Sequence, residues 1–260
     1  MTDRPDSIAY LGEVARSPQG RDYKAAVLQS LELAPGLVVL DVGCGPGTDL
    51  ASMAVQVSPD GVVIGVDHDE RMVQEAAQRT VDLPGVEVRR GDAHALPLAD
   101  ASVDRARTDR VLQHVADPVA AVADIARVLR PGGVVAFAEP DWGTLVVDAG
   151  DDVGRSVSRA FARWTCEQVV RNATVGRSLA RHAAGAGLSV RAVSAYPSVW
   201  TSFDTADLVL GLTRNSASVV EGGYVDGADR AAWLAGLAAG PVVAAVSLFV
   251  VVAVRPVTPV

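Results

Sequence analysis

Three glycines stand at alternate positions in the stretch VLDVGCGPGTDL, residues 39–50: Gly43, Gly45 and Gly47. Without Cβ atoms a chain can turn sharply and a ligand can lie against its backbone. A helix that follows such a turn offers its free N–H groups to the same ligand. Acids recur around it: Asp41 ahead of the glycines, Asp67 about twenty residues on, and Asp92 in GDAHALP. A carboxylate accepts from a pair of hydroxyls more strongly than a neutral oxygen does. His114, in DRVLQHVADP, is the side chain whose ordinary titration range suits proton transfer near neutrality. In AEPDW, Glu139, Asp141 and Trp142 offer two acids and an aromatic wall for a substrate. The turn departs from the G-x-G-x-x-G fingerprint of nicotinamide and flavin proteins: its third glycine falls one place early, and Thr48 stands where a small residue is wanted.

The elements that must hold these residues follow a regular rhythm. LVVLDV, GVVIGVD, VEVRRGD, SVDRARTD and GVVAFAEP read as five short strands, the first a β-branched run buried on both faces and the fourth weaker. GTDLASMAVQVSP, DERMVQEAAQRTV and DPVAAVADIARVLRPGG read as helices between them, the last with Asp and Pro at its start and Gly near its end. This alternation means an α/β fold with a doubly wound, mostly parallel sheet, and a ligand crevice at the carboxyl ends of its strands. Motifs that follow strands then converge on one edge. The fourth strand is unusual, since VDRARTDRV carries Arg105, Arg107, Asp109 and Arg110; alternation puts Arg105 and Arg107 on one face, where acids can pair with them.

The chain divides at two places. Residues 1–36 carry a helical pattern in DYKAAVLQSLELAPG that Pro35 and Gly36 stop. The alternating core occupies residues 37–140. Past Pro140 the rhythm breaks; residues 141–260 add helices, a strand in SVRAVSAYPSVW and a last strand in VAAVSLFVVVAV. They complete the same domain, and residues 141–175 and 203–239 are the candidates for a helical cap over the crevice.

VLDVGCGPG resembles motif I of the class I S-adenosylmethionine-dependent methyltransferases. VIGVDHDERMVQEA, GDAHALPLADASVDR, VLQHVADP and VLRPGGVVAFAEP are similar to that family's later segments, in order, over roughly residues 37–140. The branch it resembles most is that of menaquinone and ubiquinone biosynthesis. The resemblance implies a Rossmann-like sheet with an antiparallel final strand and S-adenosyl-L-methionine as cofactor. It also implies that Asp67 pairs with the ribose hydroxyls, that Asp92 and the Ala93 N–H meet the adenine, and that Met72 packs on the ring. Gly43, Gly45 and Gly47 would face the amino-acid half. Asp41 is suited either to holding the turn or to approaching the ligand's ammonium group, which the carbonyls near Asp109 also meet. His68 follows Asp67 at the same edge, as a ligand neighbour or a helix cap. His114 is the candidate general base, with packing as its alternative role.

Composition narrows the partners. The formal net charge of the 260 residues is −8 and no Lys/Arg cluster is present, so nucleic acid is not expected. The two cysteines, Cys44 and Cys166, fit neither a metal-ligand spacing nor a disulfide framework, and the histidines and acids form no metal motif. The longest apolar run is too short to span a bilayer and the N-terminus lacks a signal core, so a cytoplasmic protein, monomer or homodimer, is expected. In-line methyl transfer needs a base only for a protonated acceptor. The expected reaction is therefore methylation of a small molecule, a secondary metabolite or a quinone-like or phenolic acceptor. A cofactor-binding fold that catalyses cyclisation without methyl transfer is the alternative.

Overall fold

The computed structural model describes residues 18–257; residues 1–17 of the predicted N-terminal segment lie outside the described residues. β1 (Val38–Val42), β2 (Val62–Asp67), β3 (Val86–Arg90), β4 (Val103–Asp109) and β5 (Leu129–Val147) lie parallel in one sheet. β7 (Ala244–Val254) runs antiparallel between β5 and β6 (Ser189–Trp200), giving the order β3-β2-β1-β4-β5-β7-β6. Strand order reverses between β1 and β4, which opens a crevice at the carboxyl ends there.

Side-chain alternation sends each strand's residues to two apolar layers. Leu40, Val42, Ile64 and Phe137 pack with Ile125 of α4 (Pro118–Val128) and Leu179 of α6 (Val175–Gly185). On the other face Val134 and Ala136 meet Tyr23, Val27 and Leu31 of α1 (Pro18–Ser30) and its end, while Val39 and Val63 meet Leu50 and Met53 of α2 (Leu50–Val57). Ala76 of α3 (Glu70–Arg79) joins that layer. Helix starts are set by side-chain caps: Asp69 accepts from Arg71 N, and Asp117 accepts from Val119 N and Ala120 N with Pro118 in the first turn.

Two boundaries differ from the sequence reading. The helix predicted to run on to Gly133 stops at Val128, and Leu129 already pairs with Val103 as part of β5. Pro131 cannot donate back into a helix and disfavours helical backbone at Arg130. The Arg255 guanidinium takes over the helix end, donating to the carbonyls of Ala126 and Arg127 at 3.1 and 2.8 Å. β5 also continues beyond Pro140 to Val147, so residue 140 lies within a strand. Its β4 partner ends at Asp109, opposite Ala138, and the extension pairs with β7 alone.

That extension carries a second apolar core. Leu145 and Val147 meet Phe161 of α5 (Asp152–Trp164), Leu210 of α7 (Phe203–Leu210), Val219 of α8 (Leu212–Glu221), and Trp233 and Leu237 of α9 (Gly227–Ala239). The Phe161 and Trp233 rings lie 5.7 Å apart, and Trp233 Nε1 donates to Ser158 Oγ at 2.9 Å. A five-residue π-helix, Thr165–Val169, leads out of α5. No helix among the described residues is long and apolar enough to cross a membrane.

Phe137 is fully buried on the central face of β5. Phe137→Ala is expected to destabilise the fold by about 3–5 kcal/mol, read as a lower denaturant midpoint with an unchanged slope.

Candidate active site

The glycine turn closes back on β2, with Gly43 N and Cys44 N donating to Val66 O at 2.7 and 3.1 Å. Gly43, Gly45 and Gly47 all have left-handed backbone, with φ of +69°, +53° and +74°. The protein itself also excludes side chains here. A Cβ on Gly43 would stand 2.3 Å from Val111 Cγ2, and one on Gly47 would stand 3.0 Å from Ala76 Cβ.

Asp67 ends β2 and is almost fully buried. Its Oδ2 accepts from Gly45 N and its Oδ1 from Asp69 N, each at 2.9 Å. One carboxylate therefore ties the glycine turn to the head of α3, and each oxygen keeps acceptor capacity for a ligand. His68 is exposed, with Nδ1 3.4 Å from Asp67 Oδ1; Asp69, not His68, caps α3. Asp92 is mostly exposed, and its Oδ1 accepts from His94 N at 2.9 Å. His94 Nε2 accepts from Asp117 N at 3.1 Å, so its proton sits on Nδ1, 2.5 Å from Asp92 Oδ1. The two hydrogen bonds from His94 hold the Asp92 carboxyl below its ordinary range.

These groups surround a cavity of about 630 Å³ at the carboxyl ends of β1, β2 and β4. Asp67, His68, Met72, Asp92 and Ala93 form one flank with Gly43 and Gly45, and Val111, His114, Val115 and Ala116 form the other. Partial desolvation at that wall, with His68 nearby, lowers the His114 pKa, which leaves the ring neutral at pH 7. A smaller recess of about 70 Å³ lies beside the turn, among Tyr23, Lys24, Asp49, Arg107 and Asp109.

Arg107 is the anchor of that recess. It is 3 % exposed, with Nε 2.9 Å from Asp41 Oδ1, Nη2 2.6 Å from Asp49 Oδ2 and 3.7 Å from Asp109 Oδ2. Lys24 from α1 pairs with Asp49 and, at 3.0 Å, with Asp109, which also accepts from Tyr23 Oη at 3.1 Å. Burial raises the Asp41 pKa to about 6 against the attraction of Arg107. Burial pushes Asp49 the same way, but Arg107 and Lys24 outweigh it and bring its pKa to about 2. Arg105, on the same face, instead donates to Leu31 O at 2.5 Å. Asp41 and Gly47 line neither cavity; Asp41 is spent on Arg107.

The acceptor-side expectation needs correction. Glu139 and Asp141 are fully buried, and none of Glu139, Asp141 and Trp142 lines the cavity. Glu139 accepts backbone N–H bonds from Val111 and Leu112 at 2.7 and 2.6 Å. Asp141 is paired with Arg177 of α6, whose Nη2 donates to Oδ1 at 2.7 Å. Trp142 Nε1 donates to Gln113 Oε1 at 2.8 Å. Strand ends carrying acids read as pocket edges in a sequence, but here the chain continues past them and buries them. Likewise no cavity-lining residue comes from residues 141–175 or 203–239, the expected cap. Tyr23, Lys24 and Asp49 carry no local signal in the sequence; they are brought together by packing of α1 over β5 and β7, which lets Tyr23 and Lys24 reach Asp109 at the end of β4 and Lys24 reach Asp49 at the head of α2. Among the described residues no group of three or more His, Cys, Asp or Glu could hold a metal ion.

Residues 33–188 match the methyltransferase-domain family, and the chain belongs to it. It is 50% identical over 249 residues to an uncharacterized 37.1 kDa protein of transposon TN4556 from Streptomyces fradiae, covering 96% of this chain and 71% of that one. It is 31% identical over 137 residues to the demethylmenaquinone methyltransferase of Staphylococcus aureus, a match that spans 53% of this chain and only 57% of the relative. The fold superposes on the YcgJ protein of Bacillus subtilis with a TM-score of 0.67 at 18% identity, covering 92% of this chain and all of that one. It also superposes on the geranyl diphosphate C-methyltransferase of Streptomyces coelicolor, solved with Mg2+, geranyl diphosphate and S-adenosyl-L-homocysteine, with a TM-score of 0.59 at 16% identity, covering 98% and 88%.

Removing the buried cation should leave three carboxylates facing one another. Arg107→Met is expected to lose about 3–5 kcal/mol of stability at pH 7. In the wild type, the depressed Asp49 pKa contributes stability above pH 4 that is lost as pH falls toward about 2; the raised Asp41 pKa acts oppositely, favouring the fold as pH falls from about 6 to 4. Denaturation across pH 2–7 should show the lower window flattened in Arg107→Met.

Proposed function

We propose that the protein transfers the methyl group of S-adenosyl-L-methionine to a small-molecule acceptor. The observation that carries this reading is the pair of carboxylates, Asp67 and Asp92, facing one cavity with the glycine turn. Their chemistry fits the cofactor. Asp67 has lone pairs left for two ribose hydroxyls, Asp92 for the adenine amino group, and the Ala93 N–H for the ring. Met72 supplies an apolar surface for the ring, His68 borders the ribose end, and Gly43 and Gly45 admit the amino-acid half, with Gly47 shaping the turn behind them. Asp41 acts indirectly, by fixing Arg107. Carbonyls at the end of β4 near Asp109 are suited to the ammonium group.

When bound, the cofactor supplies an electrophilic methyl on a positively charged sulfur. The chain's own contribution is then alignment and exclusion of water, which can be worth effective molarities of ~10⁵ M or more. His114 stands on the opposite wall with a neutral ring, able to take a proton from an acceptor hydroxyl. Val111, Val115 and Ala116 beside it favour an apolar body on that acceptor. A phenolic, quinone-like or other secondary metabolite meets both demands, and the similarity to a demethylmenaquinone methyltransferase supports that class.

Asp67→Ala should weaken S-adenosylmethionine binding by ~100-fold or more, the worth of two charge-assisted hydrogen bonds, measured by calorimetry alongside thermal unfolding. Incubation with methyl-labelled cofactor and a host-cell extract should label the small-molecule fraction. Label confined to macromolecules would overturn the substrate class, and cofactor binding with no transfer to any purified candidate would favour the cyclisation alternative.

A further inference from the structure

The wall that carries His114 is irregular backbone, and irregular backbone in a protein interior must find a partner for each polar group. Residues 110–115 find theirs in two distant segments. Arg110 N donates to Ala138 O at 2.8 Å, next along β5 from Glu139. Glu139 Oε1 then accepts from Val111 N and Leu112 N, and Oε2 accepts from Gln113 N at 3.3 Å. The carbonyls are taken from the other side. Asn172 Nδ2 donates to Leu112 O and Val115 O at 2.9 and 2.8 Å, and Asn172 N donates to Gln113 O at 3.1 Å. Trp142 Nε1 holds the Gln113 side chain, whose Nε2 reaches Arg110 O at 3.4 Å. Val111 in turn abuts Gly43 so closely that no Cβ fits between them. A shift of this segment would therefore move the acceptor wall relative to the glycine turn.

We propose that Glu139 and Asn172 are positioning residues for methyl transfer: one grips the N–H groups of residues 111–113 and the other the carbonyls of residues 112–115, and together they set where His114 stands against the cofactor turn. The proposal rests on the methyl-transfer reading above. Neither residue lines the cavity, so neither touches the reacting groups. Glu139 is fully buried within β5, one residue past the point where β4 ends. An apolar residue there would leave three N–H groups without an acceptor. Asn172 belongs to the linker between the π-helix and α6, so the segment after β5 contributes to the site by holding its wall rather than by covering it.

Glu139→Gln and Asn172→Ala test this. Glu139→Gln keeps the shape but turns an acceptor oxygen into a donor facing Gln113 N–H; Asn172→Ala is the milder change should the first fail to fold. Each variant is compared with wild type by amide exchange at Leu112 and Gln113, by NMR titration of the His114 ring, by calorimetric binding of S-adenosylhomocysteine, and by label transfer to the small-molecule fraction. Exchange about tenfold faster is expected at those amides, with the His114 titration moved toward its ordinary value near 6.5, cofactor affinity held within about twofold and transfer reduced about tenfold or more. Lower thermal stability with an unmoved His114 titration and unchanged transfer per folded molecule would overturn the proposal. If wild-type protein transfers label neither to the extract nor to any purified candidate acceptor, the methyl-transfer reading fails, whereas exchange and the His114 titration still decide whether these two residues hold the wall.

Discussion

A guanidinium buried in the central strands of a parallel sheet has to be neutralised where it stands, and Arg107 organises the crevice around that requirement. Its position on β4 lies directly opposite Asp41 on β1. The same cation recruits Asp49 from the head of α2, and Lys24 from α1 completes the balance by pairing with Asp49 and Asp109. Two strands and two helices are thus locked together by charges that water barely reaches. Breaking one member would strand the others in a low-dielectric interior, a far larger penalty than the loss of a surface ion pair. The glycine turn, which joins β1 to α2, inherits its position from this network.

The opposite wall of the crevice is held by a different device. It contains no regular element, so it borrows hydrogen-bond partners from the part of β5 level with the end of β4 and from the linker ahead of α6. The tetrad Glu139, Pro140, Asp141, Trp142 is consequently a junction. Glu139 faces back to the wall, Asp141 faces forward to Arg177 on α6, and Trp142 touches both through Gln113 and the Ala173 carbonyl. Beyond this junction α6 returns to the main core, whereas α5, α7, α8 and α9 pack around their own apolar core on the extended ends of β5 and β7. None of their residues lines the cavity, and the link from the chain beyond β5 to the cavity wall is made by Asn172 in the linker ahead of α6.

Much of the plan was legible in the chain. Apolar runs of five to seven residues separated by capped helices specify a parallel sheet, since only strands covered on both faces can be apolar throughout. The sequence alone determined the five-strand rhythm, the glycine turn, the helix start at Asp117 and Pro118, and the convergence of Asp67, Asp92 and His114 on one edge, because each follows from local periodicity, from capping chemistry or from the rule that strand ends share an edge. Tertiary structure alone decided what the charged residues at those ends face. Glu139 and Asp141 carry no local mark of their burial, since nothing local distinguishes an acid that ends a strand from one through which the strand continues. The outcome depended on β7 extending the pairing of β5 beyond the end of β4. Arg107 with Asp41 and Asp49, Lys24 with Asp109, and Asn172 with residues 112–115 are separated by tens of residues. Their partnerships exist only because helices pack against the sheet, and no spacing along the chain encodes that distance.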